Sequence, residues 1–108
     1  MEDIFSPDRR YKVSFGSYEV RMSHWIDQPY LIRVSDNVSL FNLNADVWSA
    51  SNVRWLDDST VELYMRKYPG LVACTLTLNA LTNHASAVNQ TASFAGAFSE
   101  LKIWLLSL

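Results

Sequence analysis

The stretch Val61-Glu62-Leu63-Tyr64-Met65-Arg66, followed by Pro69-Gly70 and then Val72-Ala73-Cys74-Thr75-Leu76-Thr77-Leu78, decides the fold class. Successive side chains on a strand point to opposite faces, so apolar residues at every second position mark a sheet with one covered side. Val61, Leu63 and Met65 fall on one face, with Glu62, Tyr64 and Arg66 on the other. Val72, Cys74, Leu76 and Leu78 repeat the pattern against small residues and threonines. Pro-Gly is turn chemistry. Two alternating runs around such a turn form an antiparallel hairpin.

Working upstream, Asp57-Asp58-Ser59 reads as a turn. Val47-Trp48 and Val53-Arg54-Trp55 read as short strand pieces around polar residues 49–52. Residues 30–35 and 38–43 form a hairpin closed by Asp36-Asn37. Residues 23–29 read as a polar loop carrying Trp25. Before it runs a long strand in which Tyr11, Val13 and Phe15 alternate with polar residues. After Gly16 the parity changes to Tyr18, Val20 and Met22, which predicts a β-bulge at the glycine. Ser6-Pro7-Asp8 is the opening turn.

Downstream, residues 79–91 are small, polar and weakly patterned. They read as a long loop, with at most a short strand at residues 87–89. Residues 97–108 fit a helix. At about 100° per residue, Phe98, Leu101, Trp104, Leu105 and Leu108 share a broad face. Ile103 and Leu106 fall among the polar residues opposite. A strand is the alternative there. The expected fold is α+β: an antiparallel β-sheet of six to seven strands, curled or sandwich-like, with one C-terminal helix packed against it. Residues 1–108 form a single domain.

Composition narrows the function classes. Nine basic against eleven acidic side chains give a net charge of −2, without the basic surplus that phosphate binding needs. Nucleic acid is therefore not an expected partner. No polybasic run or long apolar stretch points to a membrane. The acidic start Met1-Glu2-Asp3-Ile4-Phe5 lacks the apolar core of a signal peptide, so the expected location is the cytoplasm. A single cysteine excludes an intramolecular disulfide and a multi-thiolate metal site.

Catalytic signals are missing. Three glycines build no phosphate loop, and no Gly-x-Ser-x-Gly or His-Glu-x-x-His occurs. His24 and His84 stand sixty positions apart. Cys74 is in phase with the apolar face and reads as a small buried hydrophobe. Asp57-Asp58 reads as turn chemistry rather than a carboxylate pair. No catalytic residue, metal or cofactor is expected.

What remains is aromatic and charged surface. Glu19, Arg21, His24, Trp25 and Asp27 form one cluster, rich in the residue types that anchor protein interfaces. Tyr64, Arg66 and Tyr68 form a second row, out of phase with the apolar face. Ile103 and Leu106 form a third patch, suited to a homodimer.

Two sequence phrases invite comparison. Phe5–Phe15 and Trp55–Met65 both run aromatic, turn with Asp, then alternating strand, fifty residues apart. Ser6-Pro7-Asp8 resembles the strand-turn phrase of β-propeller blades, but Arg9 stands where that phrase usually has glycine. A propeller also needs about four blades. Separately, Ser6-Pro7-Asp8-x-x-Tyr11, Arg21-Met22-Ser23-His24-Trp25, Trp48-Ser49 and Arg66-Lys67-Tyr68-Pro69-Gly70 resemble phrases in small bacterial proteins of the immunity type. This resemblance covers about two thirds of the chain. It implies a non-enzymatic domain that neutralises a toxin by binding it. The alternatives are a structural or oligomerising module, or a small ligand carrier using a cavity between sheet and helix.

Overall fold

A computed structural model describes residues 2–20, 24–43, 48–68 and 72–108. Nine strands and one helix follow in chain order: β1 (Ile4–Phe5), β2 (Tyr11–Val20), β3 (His24–Arg33), β4 (Val38–Asn42), β5 (Trp48–Trp55), β6 (Thr60–Lys67), β7 (Val72–Asn79), β8 (His84–Val88), β9 (Ser93–Ala97) and α1 (Phe98–Leu106). Among the described residues every ladder is antiparallel and joins consecutive strands. They divide into a four-stranded sheet, β1-β2-β3-β4, and a five-stranded sheet, β5-β6-β7-β8-β9. The mostly antiparallel β architecture with a C-terminal helix agrees with the sequence. The single sheet of six or seven strands does not.

The alternating runs on either side of Pro69-Gly70 are β6 and β7. Val61, Leu63, Met65, Cys74, Leu76 and Leu78 are all buried, while Tyr64 and Arg66 are exposed. One core serves both sheets and the helix: Val13, Leu31 and Phe41 meet Trp48, Leu63 and Leu76 under Phe98, Leu101 and Leu105. Those three helix residues fill the space between α1 and the sheets, and the Phe41 and Phe98 rings meet edge to face at 5.8 Å. The helix starts where the Glu100 carboxylate accepts the Ala97 main-chain N–H at 2.9 Å, satisfying one of the donors a helix start leaves open. As the sequence pattern predicts, Ile103 and Leu106 face outward, Ile103 at 72% exposure. No helix among the described residues is long and apolar enough to cross a membrane.

Four local expectations are corrected. Residues 24–29, read as part of a loop, are the first half of β3. Pro29 is tolerated there because β4 pairs with β3 only from Tyr30 onward, so Pro29 sits at an edge position. Residues 49–52 do not interrupt a strand: β5 is continuous, and a register shift between Ala50 and Asn52 absorbs Ser51. Residues 79–91 contain β8, whose inward residues are the small Ala85 and Ala87, and β9 follows.

The bulge expected at Gly16 is absent. The β2–β3 register runs unbroken from Tyr11↔Arg33 to Val20↔His24. The parity change has another cause. Near Arg33 the hairpin covers the core with Val13 and Leu31. Further out its opposite face is buried through Ile26 and Gln28, and the Gln28 amide donates to the Leu43 carbonyl at 2.6 Å. A strand keeps its alternation while the side that is covered changes. Gly16 instead makes room for a ring. Tyr30 lies across it, 3.2 Å from where a Cβ would stand, and the Tyr30 hydroxyl donates to the Gln28 Oε1. Tyr18, expected on the covered face, is 36% exposed; Met22 and the Val20 side chain lie outside the described residues.

Candidate functional site

Trp25 stands on β3 rather than in a loop. It lies directly opposite Glu19 of β2 and is 60% exposed. Large apolar side chains on strands normally face the core, so this placement is set by the reversal of faces along the hairpin. Asp27 follows two residues on, opposite Ser17, whose hydroxyl donates to its carboxylate at 2.6 Å. His24 opens β3 opposite Val20. Arg21 and the His24 side chain lie outside the described residues.

The second candidate row lies on the outward face of β6. The Arg66 guanidinium sits 5.8 Å from the Tyr64 ring centre, a cation–π contact that restrains both side chains. Tyr64 faces Thr75 across the β6–β7 ladder, and Arg66 faces Ala73. Small residues there leave an open groove of about 340 Å³, lined by Tyr64, Arg66, Val72, Ala73 and the β8–β9 turn. That turn is held by Asn89, whose side-chain oxygen accepts the Thr91 and Ala92 main-chain N–H groups. Tyr68 follows at the end of β6, half-buried.

Ser49 links the two rows. Its hydroxyl accepts the Asp27 main-chain N–H at 2.9 Å, and its backbone lies opposite Arg66. The order across the molecule is therefore Ser17, Asp27, Ser49, Arg66, Ala73, from β2 through β3, β5 and β6 to β7. Sequence reasoning singles out Asp27 and Arg66 but does not connect them. Ser49 is hidden in what looks like a polar break between strand pieces, and nothing in its own chemistry marks it as a bridge. The Ile103–Leu106 patch lies on α1, apart from this row.

Several titratable groups outside these rows hold the fold. Asp57 accepts the Ser59 and Thr60 main-chain N–H groups, which hold its carboxyl below the usual range. Burial pushes the Cys74 thiol up, so it stays protonated in the core. Arg54 and Glu62 pair at 3.2 Å across β5 and β6, on the surface. Among the described residues no group of three or more His, Cys, Asp or Glu could hold a metal ion. No known protein-family model matches the chain, and no curated protein and no solved structure matches it, so any reading of its function rests on the surface just described.

Proposed function

We propose that this chain is a non-enzymatic protein-binding domain of immunity type, which neutralises a bacterial toxin in the cytoplasm by covering it. The observation that carries this reading is Trp25. An indole 60% exposed on a strand, flanked by Glu19 and Asp27, is the residue type and setting of an interface anchor. The Asp27 main-chain bond to Ser49, which lies opposite Arg66, ties the strands that carry Trp25 and the Arg66–Tyr64 row, so both candidate rows stand on strands rather than loops. Side chains fixed on strands lose little freedom on binding, which favours affinity.

The test pairs this chain with any toxin-like product encoded beside it in its native genome, and the absence of such a gene counts against the reading. The two are co-expressed, and binding is measured by calorimetry. The expected result is a stable complex that suppresses the toxicity. Trp25→Ala should weaken it about thirtyfold or more, the loss of one hot-spot side chain. Its melting temperature should match the parent's. An undiminished complex with Trp25→Ala, or no complex at all, overturns the reading.

A second reading rests on Ile103 and Leu106, exposed at 72% and 40% on α1. Apolar side chains there suit self-association. Sedimentation decides it: a strict monomer at high concentration removes this reading, and a dimer abolished by Ile103→Glu supports it.

A further inference from the structure

At the end of the β2–β3 hairpin far from Trp25, about 25 Å away by strand rise, lies a concavity of about 280 Å³ whose lining includes three arginines. It is lined by Arg9, Arg10, Tyr11, Arg33, Val34 and Ser35. Tyr11 is buried and Val34 is 39% exposed, so they supply apolar surface between the charged groups. Arg10 is held by Asp8, whose carboxylate pairs with the guanidinium and accepts the Arg10 main-chain N–H. The same guanidinium stands 5.9 Å from the Tyr11 ring centre. Arg33 is held by Asp36 through both carboxylate oxygens. The Arg9 guanidinium lies over the Phe5 ring at 4.0 Å.

Each arginine carries five N–H donors, and these contacts use only some of them. Among the described residues no carboxylate lines the concavity itself. Asp8 and Asp36 pair with Arg10 and Arg33, and Asp58 also acts on Arg10 through space, so among the described residues Arg9 is the guanidinium held by a ring rather than a carboxylate. Arg9 also adopts φ 62°, in the left-handed region, and this backbone sets its side chain over Phe5.

We propose that this concavity binds a small amphiphilic anion, a carboxylate or phosphate carried on a compact apolar or aromatic body. The apolar walls take the body and the guanidinium donors take the charged head. The volume is near the lower end for small-molecule sites, which excludes larger ligands. Guanidiniums already fixed by carboxylates and rings lose little freedom on binding.

The test titrates phenyl phosphate, inorganic phosphate and benzyl alcohol into the full chain, followed by NMR shifts of the Tyr11 and Val34 amides and the arginine Nε–H groups. Phenyl phosphate should saturate at concentrations about tenfold or more below either fragment, because head and body each contribute. Arg9→Gly adopts the same backbone freely and keeps the fold, so it removes the guanidinium together with its Phe5 contact. It should weaken phenyl phosphate about tenfold, as should Arg33→Gln. No saturable shift, equal shifts with benzyl alcohol, or both variants binding as the parent does, overturns the proposal.

Discussion

The Ser49 hydroxyl accepts the Asp27 main-chain N–H at 2.9 Å, and this bond spans the junction between the four-stranded and five-stranded sheets. Ser49→Ala removes the acceptor and leaves a half-buried N–H without it. The expected cost is about 1 kcal/mol in chemical denaturation. Amide exchange at Asp27 should quicken more than exchange within β6–β7. Unchanged exchange at Asp27 would show that the junction is held by other contacts.

Trp55 makes a comparable link at another place. Its indole N–H donates to the Ile4 carbonyl at 3.0 Å, tying the two-residue strand β1 to the end of β5. Trp55→Phe keeps an aromatic ring and loses the donor, for about 1 kcal/mol. Since β1 is so short, the loss should be local. Proteolysis before Tyr11 should accelerate while the global unfolding midpoint moves only slightly. Equal protection in parent and variant would refute this.

Arg9 stands where the blade-like phrase usually carries glycine, and its φ of 62° is the conformation that glycine adopts without penalty. Left-handed backbone costs other residues about 1–2 kcal/mol. Arg9→Gly relieves that strain but gives up the Phe5 contact, worth about 0.5–1 kcal/mol when exposed, and adds freedom to the unfolded chain. These terms nearly cancel, so stability should stay within about 0.5 kcal/mol of the parent. Arg9→Ala keeps the strain and loses the contact, so it should be the less stable variant. The reverse order in thermal melts would contradict this balance.

Acid should unfold the protein through its turns. The Arg10 main-chain N–H holds the Asp8 carboxyl below its ordinary range, Arg33 does so for Asp36, and the Ser59 main-chain N–H for Asp57. A carboxyl whose folded pKa is depressed stabilises the fold above its unfolded pKa, about 3.9 for aspartate. That contribution is lost as pH falls through the folded value. Melting temperature should therefore hold between about pH 7 and 5 and decline below about pH 4. Asp57→Asn should lessen the decline, and a parent profile flat to about pH 3 would exclude the mechanism.

The parts of the fold that could be read from sequence are those where burial is one-sided along a whole element. The β6–β7 hairpin shows this through Val61, Leu63, Met65, Cys74, Leu76 and Leu78, and α1 through Phe98, Leu101 and Leu105. The strands that escaped notice break that condition in identifiable ways. β8 turns Ala85 and Ala87 inward, side chains too small to raise an apolar signal. β5 carries an extra residue at Ser51 that shifts its alternation midway. β3 begins with a Trp facing out and a Gln facing in, because a different part of the molecule covers its first half. The candidate residues Trp25, Asp27, Tyr64 and Arg66 could be chosen from chemistry alone. The link from Asp27 through Ser49 to Arg66 could not, since it depends on where two sheets meet.

Among the described residues every ladder pairs neighbours in the chain, whereas α1 follows the nine described strands and packs across β4, β8 and β9. On a ribosome, each hairpin has its partner as soon as the second strand emerges. The core beneath Phe98, Leu101 and Leu105 has no cover until the helix itself has left the exit tunnel. Synthesis thus passes through an interval in which paired sheets expose an oily cleft, and release of the last helical turn ends it.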